Sequence, residues 1–469
     1  MKSALYPADC YTWLVIALTA AAIAVVPPMP RLWAVGWLCA LPLLAWMASS
    51  AIAWLGLFLG AALLLPPLPA SFGNSGAHPA VVLAAFGVYA GLIFAHRWRC
   101  AGSSVIPAAA VLIAVMAASV PLALIYSGPE VAVGSAVRVL LFALGPFVLA
   151  YVEWGPGRSL AHCGAGPARL LFATGVLSAI LACVDFFYQL PAPAGYSPQF
   201  IWFADRVLRR AQGLFYDAGA LGNMCAFFLV MAVVAIMLTG RAVVNRWLAA
   251  VGAIPLAATM VFSYSRAAVL NVVVATIVTI WLKRCEVRWI RTAATVVAAG
   301  VVVVLALGWL APGLAAWWMA RARKTVELAF SASDAALSGR VSTWQAIISF
   351  IIEHPARVLF GVGYKTLPYS DVLGHPVIAD NTYLSTLIET GVAGLAALCA
   401  LHVAILRATY RVARSAERTA AFYGTWAFSF WTGEMVQMSA ADLLTYWRLL
   451  PLFFFVIGIA ILKGREQSA

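Results

Sequence analysis

Residues 105–126 read VIPAAAVLIAVMAASVPLALIY, and residues 168–189 read ARLLFATGVLSAILACVDFFYQ. The first run carries no charge anywhere along it. As a helix rising about 1.5 Å per residue it reaches roughly 33 Å, enough to cross a hydrocarbon core about 30 Å thick. Its apolar residues are continuous rather than alternating, so a helix is read and not a barrel strand. Working outward, comparable runs fall at 11–27, 32–48, 51–66, 80–96, 132–153, 218–239, 245–262, 266–283, 290–310, 381–407, 418–438 and 443–462. The expectation is an all-α polytopic membrane protein with about twelve to fourteen transmembrane helices and no internal repeat.

Composition agrees. Of the 469 residues, 64% are hydrophobic and 10% are charged. A soluble domain has about 25% charged residues, so this chain cannot cover itself with a water-facing surface. The net charge of +13 reads as Lys and Arg flanking helices on the cytoplasmic side, not as a nucleic-acid surface. The eight cysteines are scattered over apolar runs and basic loops, with no disulfide framework. The early Lys2 and the apolar stretch after it read as a first span, not a cleaved signal.

If the spans alternate, Lys2, Arg97, Arg99, Arg158, Arg169, Arg241, Arg246, the 283–291 and 407–418 segments, Lys463 and Arg465 share one side, expected to be cytoplasmic. The chain then divides into N-terminal spans (1–200), central spans with arginine-bearing outer loops (201–310), a large extracytoplasmic loop (311–380) and C-terminal spans (381–469). The outer segments still hold Arg206, Arg209, Arg210, Arg266, Arg321, Arg323, Lys324, Arg340, Arg357, Lys365 and Arg448. Arginine on that face runs against the topology bias, and its planar fork suits phosphate, so an anionic ligand is expected there. Snorkelling to headgroups is the plainer reading for any single one. Within the large loop, Val341, Trp344, Ile347, Ile348, Ile351 and Ile352 fall on one helical face. Ser338 is placed to cap that helix and His354-Pro355 to end it, with Arg340 near its N-terminus.

Four pieces converge on the outer face: Arg210-Ala211-Gln212-Gly213-Leu214-Phe215; Ser263-Tyr264-Ser265-Arg266; Gly339-Arg340 with Trp344 and Gly361-Val362-Gly363; and Asp380-Asn381-Thr382-Tyr383-Leu384 with Glu389, Gly391 and Gly394. In order and spacing these resemble the O-antigen ligase and polymerase superfamily of membrane glycosyltransferases, over roughly residues 205–460. The resemblance implies a GT-C-like helical fold in a bacterial cytoplasmic membrane, with the site facing outward. It implies an undecaprenyl-pyrophosphate-linked oligosaccharide as donor, an acceptor glycan hydroxyl, and inversion without a metal or other cofactor. Arg266 and Arg340 would hold the pyrophosphate, Arg210 would assist, and Tyr264, Asn381, Glu389 and Arg448 would line the donor or acceptor. Membrane lipids and polysaccharide-assembly proteins are the further partners.

Ligases of this kind tend to place a histidine before the asparagine of the fourth piece. This chain has Asp380 there and His375 five residues earlier. Either supplies a base, or none is used. The Asp-Asn-x-Tyr-Leu form favours a polymerase over a ligase. Plainer roles stand beside these: Asp380 as a helix cap, Glu389 as a partner for a bundle arginine, Gly391 and Gly394 as packing positions, Trp344 as an interfacial anchor, and Asp442 with Arg448 as a pair at a helix end. Asp185, an intramembrane carboxylate, is a further candidate. A flippase is the competing class, but the charges gather at one face instead of lining a central cavity. In a background without other reactive cysteines, Ser333→Cys should react with an impermeant thiol reagent in intact cells and Arg411→Cys should not. The reverse pattern would invert the orientation.

Overall fold

The computed structural model describes residues 51–68, 78–93, 98–99, 102–193, 195–202, 207–238, 243–284 and 340–466, with scattered positions between 308 and 323. The expected spans at 11–27 and 32–48, the 290–310 span up to residue 307, the proposed Ser338 cap and Gly339 lie outside the described residues.

The elements are α1 (Ala51–Leu64), α2 (Pro79–Ile93), α3 (Val105–Ser127), α4 (Pro129–Glu153), α5 (Gly166–Tyr188), β1 (Phe200–Trp202), β2 (Val207–Arg209), α6 (Ala218–Met237), α7 (Arg246–Ser263), α8 (Arg266–Leu282), α9 (Arg340–Glu353), α10 (Pro355–Phe360), α11 (Thr382–Ala413), α12 (Arg418–Gln437) and α13 (Leu450–Glu466). The protein is an all-α polytopic membrane protein. Among the described residues α3, α4, α5, α6, α7 and α11 are each long and apolar enough to cross a membrane, and α1, α2 and α8 are shorter apolar helices. The lipid-facing girdle is apolar: Ile125, Val133, Leu140 and Leu248 are exposed. Helices α6 and α13 are buried almost all round, as expected of a bundle centre. Around them α6 packs on α7, α8 on α12, α13 on α4, and α11 on α3 and α12.

Hydrogen bonds fix which ends lie together. At one end, Lys283 Nζ donates to Ala413 O at 2.9 Å and Arg465 Nη2 to Glu153 Oε2 at 2.9 Å. At the other, Tyr364 N donates to Ser119 Oγ at 3.0 Å, Thr382 N to Met438 O at 2.8 Å, and Ala211 N to Phe262 O at 2.9 Å. The described basic loop residues read as cytoplasmic gather at the first end. The arginine-bearing loops gather at the second.

Two expectations are corrected. The span drawn at 381–407 starts at Thr382, runs to Ala413 and is interrupted at Gly391, whose φ of 74° and ψ of −175° are not helical. The span drawn at 443–462 starts only at Leu450, because 439–449 is a folded turn pinned by Asp442 and Arg448. The segment between α5 and α6 holds an antiparallel hairpin pairing Phe200 with Arg209 and Trp202 with Val207.

The break in α11 is filled from the large loop. Val362 N donates to Ile388 O at 3.0 Å and Gly363 N to Glu389 O at 2.9 Å. Beside this splice Ile347, Phe350, Val362, Leu367, Val377, Ala379 and Ile388 form a small separate core. It fixes α9 against α11. Ile347 and Phe350 face inward while Ile348 and Ile352 stay exposed, so the apolar face of α9 is narrower than its sequence pattern. His354-Pro355 does end the helix, and α10 follows at once.

Gly361 has a φ of +83°, and a Cβ there would lie 2.4 Å from Glu389 O; Gly374 has a φ of +86° and open space around it. Gly374→Ala should therefore cost about 1 kcal/mol for the backbone alone, and Gly361→Ala at least about 3 kcal/mol because the splice must also open. Thermal unfolding of the purified variants in detergent checks this; equal losses would mean the close approach contributes nothing.

Candidate functional site

The site begins with two tight turns. Helix α7 ends at Ser263, and Tyr264 follows with a left-handed φ of 53°. Ser265 then caps α8 by accepting from Ala268 N at 3.4 Å, so Arg266 becomes the first residue of α8. Arg210 follows β2, and its Nε donates to Ser263 O at 2.8 Å. That bond draws it to the turn carrying Arg266. Arg340 opens α9, and its Nε donates to Asp380 Oδ2 at 3.0 Å. Trp344 Nε1, one turn along α9, donates to Ala379 O at 2.7 Å and locks the helix beside Asp380. Trp344 is thus a staple within the loop.

These pieces share one electrostatic neighbourhood. Arg340 acts on both Arg210 and Arg266, and Asp380 acts on Arg210 as well. Arg340 thus links the three guanidinium groups: it holds Asp380 directly, Arg210 feels the same carboxylate, and Arg266 lies within reach of Arg340. An arrangement with that excess of cations suits a doubly charged phosphate. Tyr446 belongs to the same neighbourhood, next to Asp217, Asp380, Asp442 and Arg210. Burial first, and then those carboxylates, push its phenol well up, so it stays an O–H donor. Nothing in the sequence singles out Tyr446, one tyrosine among fifteen. Asp217 caps α6, accepting from Ala220 N at 2.6 Å.

Asp380 does not cap α11. Asn381 does, its Oδ1 accepting from Tyr383 N at 3.0 Å and Leu384 N at 3.1 Å. Asp380 sits one residue before the cap with φ of 45°. That conformation costs a non-glycine residue about 1–2 kcal/mol, and such strain clusters at functional sites. His375 lies in an exposed turn and makes no hydrogen bond or ion pair with the described residues. Tyr264 is 2% exposed, so a substrate could reach little of it.

Two expected pairings are replaced. Arg448 is not paired with Asp442: its Nε donates to Ala62 O at 2.8 Å, Nη1 to Leu214 O at 2.7 Å and Nη2 to Leu65 O at 3.0 Å. It also covers the Phe215 ring, 4.3 Å from its centroid. That makes Arg448 a clamp on three backbone carbonyls. Asp442 instead pairs with Lys365 Nζ, and Glu389 Oε2 lies 3.9 Å from the same ammonium. Glu389 thus has a lysine for its partner, not an arginine, and is 1% exposed. Asp185, in α5, pairs with Arg209 at 3.4 Å.

A further polar layer was missed from sequence. Glu434 Oε2 accepts from Asn223 Nδ2 at 2.6 Å and Asn271 Nδ2 at 2.9 Å, and both amides also reach Gln437 Oε1. Glu434 falls inside an apolar run, and an intramembrane carboxylate was the available signal.

Residues 251–399 match the family described as O-antigen ligase. The resemblance to the O-antigen ligase and polymerase superfamily holds. The match takes in Tyr264, Arg266, Arg340, His375, Asp380, Asn381 and Glu389, and leaves out Arg210 and Arg448. It therefore spans the two turns, the splice and the broken helix that build this geometry. No curated protein matches the chain.

Because Arg448 holds carbonyls, Arg448→Lys should lower stability by about 3 kcal/mol or more, as a single ammonium cannot replace a three-way fork. Arg340→Ala, at a half-exposed pair, should change stability by less than about 1 kcal/mol. Thermal melts of the two proteins test the contrast, and an unchanged melt for Arg448→Lys would refute the clamp.

Proposed function

We propose that this protein is a polysaccharide polymerase of the outer face of the bacterial cytoplasmic membrane. It transfers a glycan from an undecaprenyl-pyrophosphate-linked donor to an acceptor sugar hydroxyl. The observation that carries this reading is the gathering of Arg210, Arg266 and Arg340 in one electrostatic neighbourhood, with Asp380 held by Arg340. In the transfer, the acceptor oxygen forms a bond to the anomeric carbon from the face opposite the leaving group. The bond from that carbon to the pyrophosphate oxygen breaks, and the pyrophosphate departs with the electron pair. Negative charge grows on it, and pre-aimed guanidinium groups stabilise that charge without a metal. The acceptor proton passes to Asp380, whose Oδ2 holds Arg340 and whose Oδ1 is engaged by no described residue.

A second reading has its own support, since the matching family is described as O-antigen ligase. In that reading the acceptor is a lipid A-core sugar and transfer occurs once. Purified protein given a labelled lipid-linked repeat unit separates the two. A ladder of products is expected, a single addition to lipid A-core would make it a ligase, and movement between leaflets without transfer would refute both.

Arg266→Ala and Arg340→Ala should each lower turnover about 10²-fold or more while protein levels stay near normal, and lysine at either position should rescue poorly. Asp380→Asn should fold, because Asn381 is the cap, and should lower kcat about 10²–10⁴-fold. A base lost from Asp380 leaves the donor KM nearly unchanged; a rise in donor KM with kcat intact would reduce Asp380 to an orienting partner of Arg340.

A further inference from the structure

At the end of the bundle opposite the arginine cluster, a groove of about 910 Å³ opens between α5, the end of α6 and the start of α7. Pockets of about 300–1,000 Å³ commonly hold small ligands. Arg169 and Arg246 line it, and no carboxylate does among the described residues. Arg169 is anchored through Nε to Val243 O at 2.8 Å, and its terminal nitrogens have no partner among the described residues. Arg246 is the exposed first residue of α7, after the Asn245 cap.

The rest of the groove is apolar. Phe172 and Val176 of α5 face Leu248 and Val251 of α7 across it. Leu248 is 65% exposed and Val251 62% exposed, as lipid-facing residues are. The floor is closed because Gly252 lets α7 press on α5; a Cβ there would come within 2.7 Å of the Phe172 ring. The groove therefore joins two cations that no described carboxylate neutralises to an apolar trough that runs along lipid-facing helices. A soluble anion would use only the cations, and a neutral lipid only the trough. Basic pockets between transmembrane helices hold anionic headgroups in this manner.

We propose that this groove binds one anionic phospholipid of the leaflet at that end. Its phosphate rests on Arg169 and Arg246, and an acyl chain lies along Phe172, Val176, Leu248 and Val251. The site is separate from the transfer chemistry and stands whether or not that reading does.

The test is native mass spectrometry of the full-length protein released from detergent micelles doped with phosphatidylglycerol or phosphatidylcholine. One tightly retained phosphatidylglycerol per chain is expected, and phosphatidylcholine should be retained far less. Arg169→Gln with Arg246→Gln should weaken retention about tenfold or more, given the attraction of each surface arginine to anionic lipid. Ala173→Trp, which fills the groove and keeps both arginines, should weaken it as well. Arg158→Gln with Arg418→Gln removes the same charge from exposed positions at the same end and should leave retention unchanged. Equal loss in both double variants, or equal retention of phosphatidylcholine, would overturn the proposal. Displacement by millimolar inorganic phosphate would also overturn it, as a soluble-anion site.

Discussion

The candidate site depends on a backbone splice between residues 361–363 and the break in α11 at Gly391. A helix that breaks inside a membrane protein leaves carbonyls without their usual donors, and lipid offers none. Here the amides of Val362 and Gly363 supply them, to Ile388 and Glu389. The approach is so close that a Cβ at Gly391 would lie 2.3 Å from Leu359 O. The large loop is thereby tied to the bundle at backbone level. Everything that brings Arg340 to Asp380 follows from that tie: the small core around Ile347 and Phe350, and the Trp344 bond to Ala379.

The cations of this face divide by what they touch. Arg448 is committed to three backbone carbonyls, and Lys365 lies between Asp442 and Glu389 deep under the loop. Burying two carboxylates with one ammonium is tolerable only if the group is shielded and held by further hydrogen bonds. The backbone amides of Lys365 and Leu367 are turned toward Glu389, while its Oε2 accepts no hydrogen bond from the described residues. These cations hold the scaffold. Arg210, Arg266 and Arg340 form the other set, with Asp380 held by Arg340 and within reach of Arg210. Arg138 over Tyr369 and Arg357 over Tyr126 add a third use, fastening the loop to α4 and α3 through aromatic faces.

The bundle was legible in the sequence because span length and lipid burial leave one long apolar run per helix, and the described helices fall within a few residues of those runs. The grouping of Arg210, Arg266, Arg340 and Asp380 was legible only as four separate pieces, joined by resemblance. What the pieces did not reveal is which cations are already engaged. Arg448 and Lys365 look like site residues in sequence, and their partners are backbone carbonyls or residues far along the chain. The cap position was misread by one residue because Asp and Asn cap about equally well. The left-handed turn at Asp380 decides for Asn381. The break at Gly391 carried only the weak signal of a glycine in a span, since glycine is common in membrane helices.

The layer beneath the site holds the start of α8 and, with it, Arg266. Asn271 lies five residues into α8, about 7–8 Å under Arg266 along the helix. With Asn223 of α6 it is bonded to Glu434 and Gln437 of α12, all buried. Small residues bring these helices close enough for that. A Cβ at Gly433 would meet Asn271 Oδ1 at 2.2 Å, and one at Gly222 would meet the Ser265 side chain at 2.8 Å. Glycine contacts and amide bonds are the two ways helices associate in lipid, where apolar surface gains little from burial. Used together directly below the Ser263–Arg266 turn, they fix the start of α8 from beneath, while the splice at Gly391 fixes Asp380 and Arg340 from above. The arginine cluster is then a property of two rigid floors meeting, not of one flexible loop folding over a ligand.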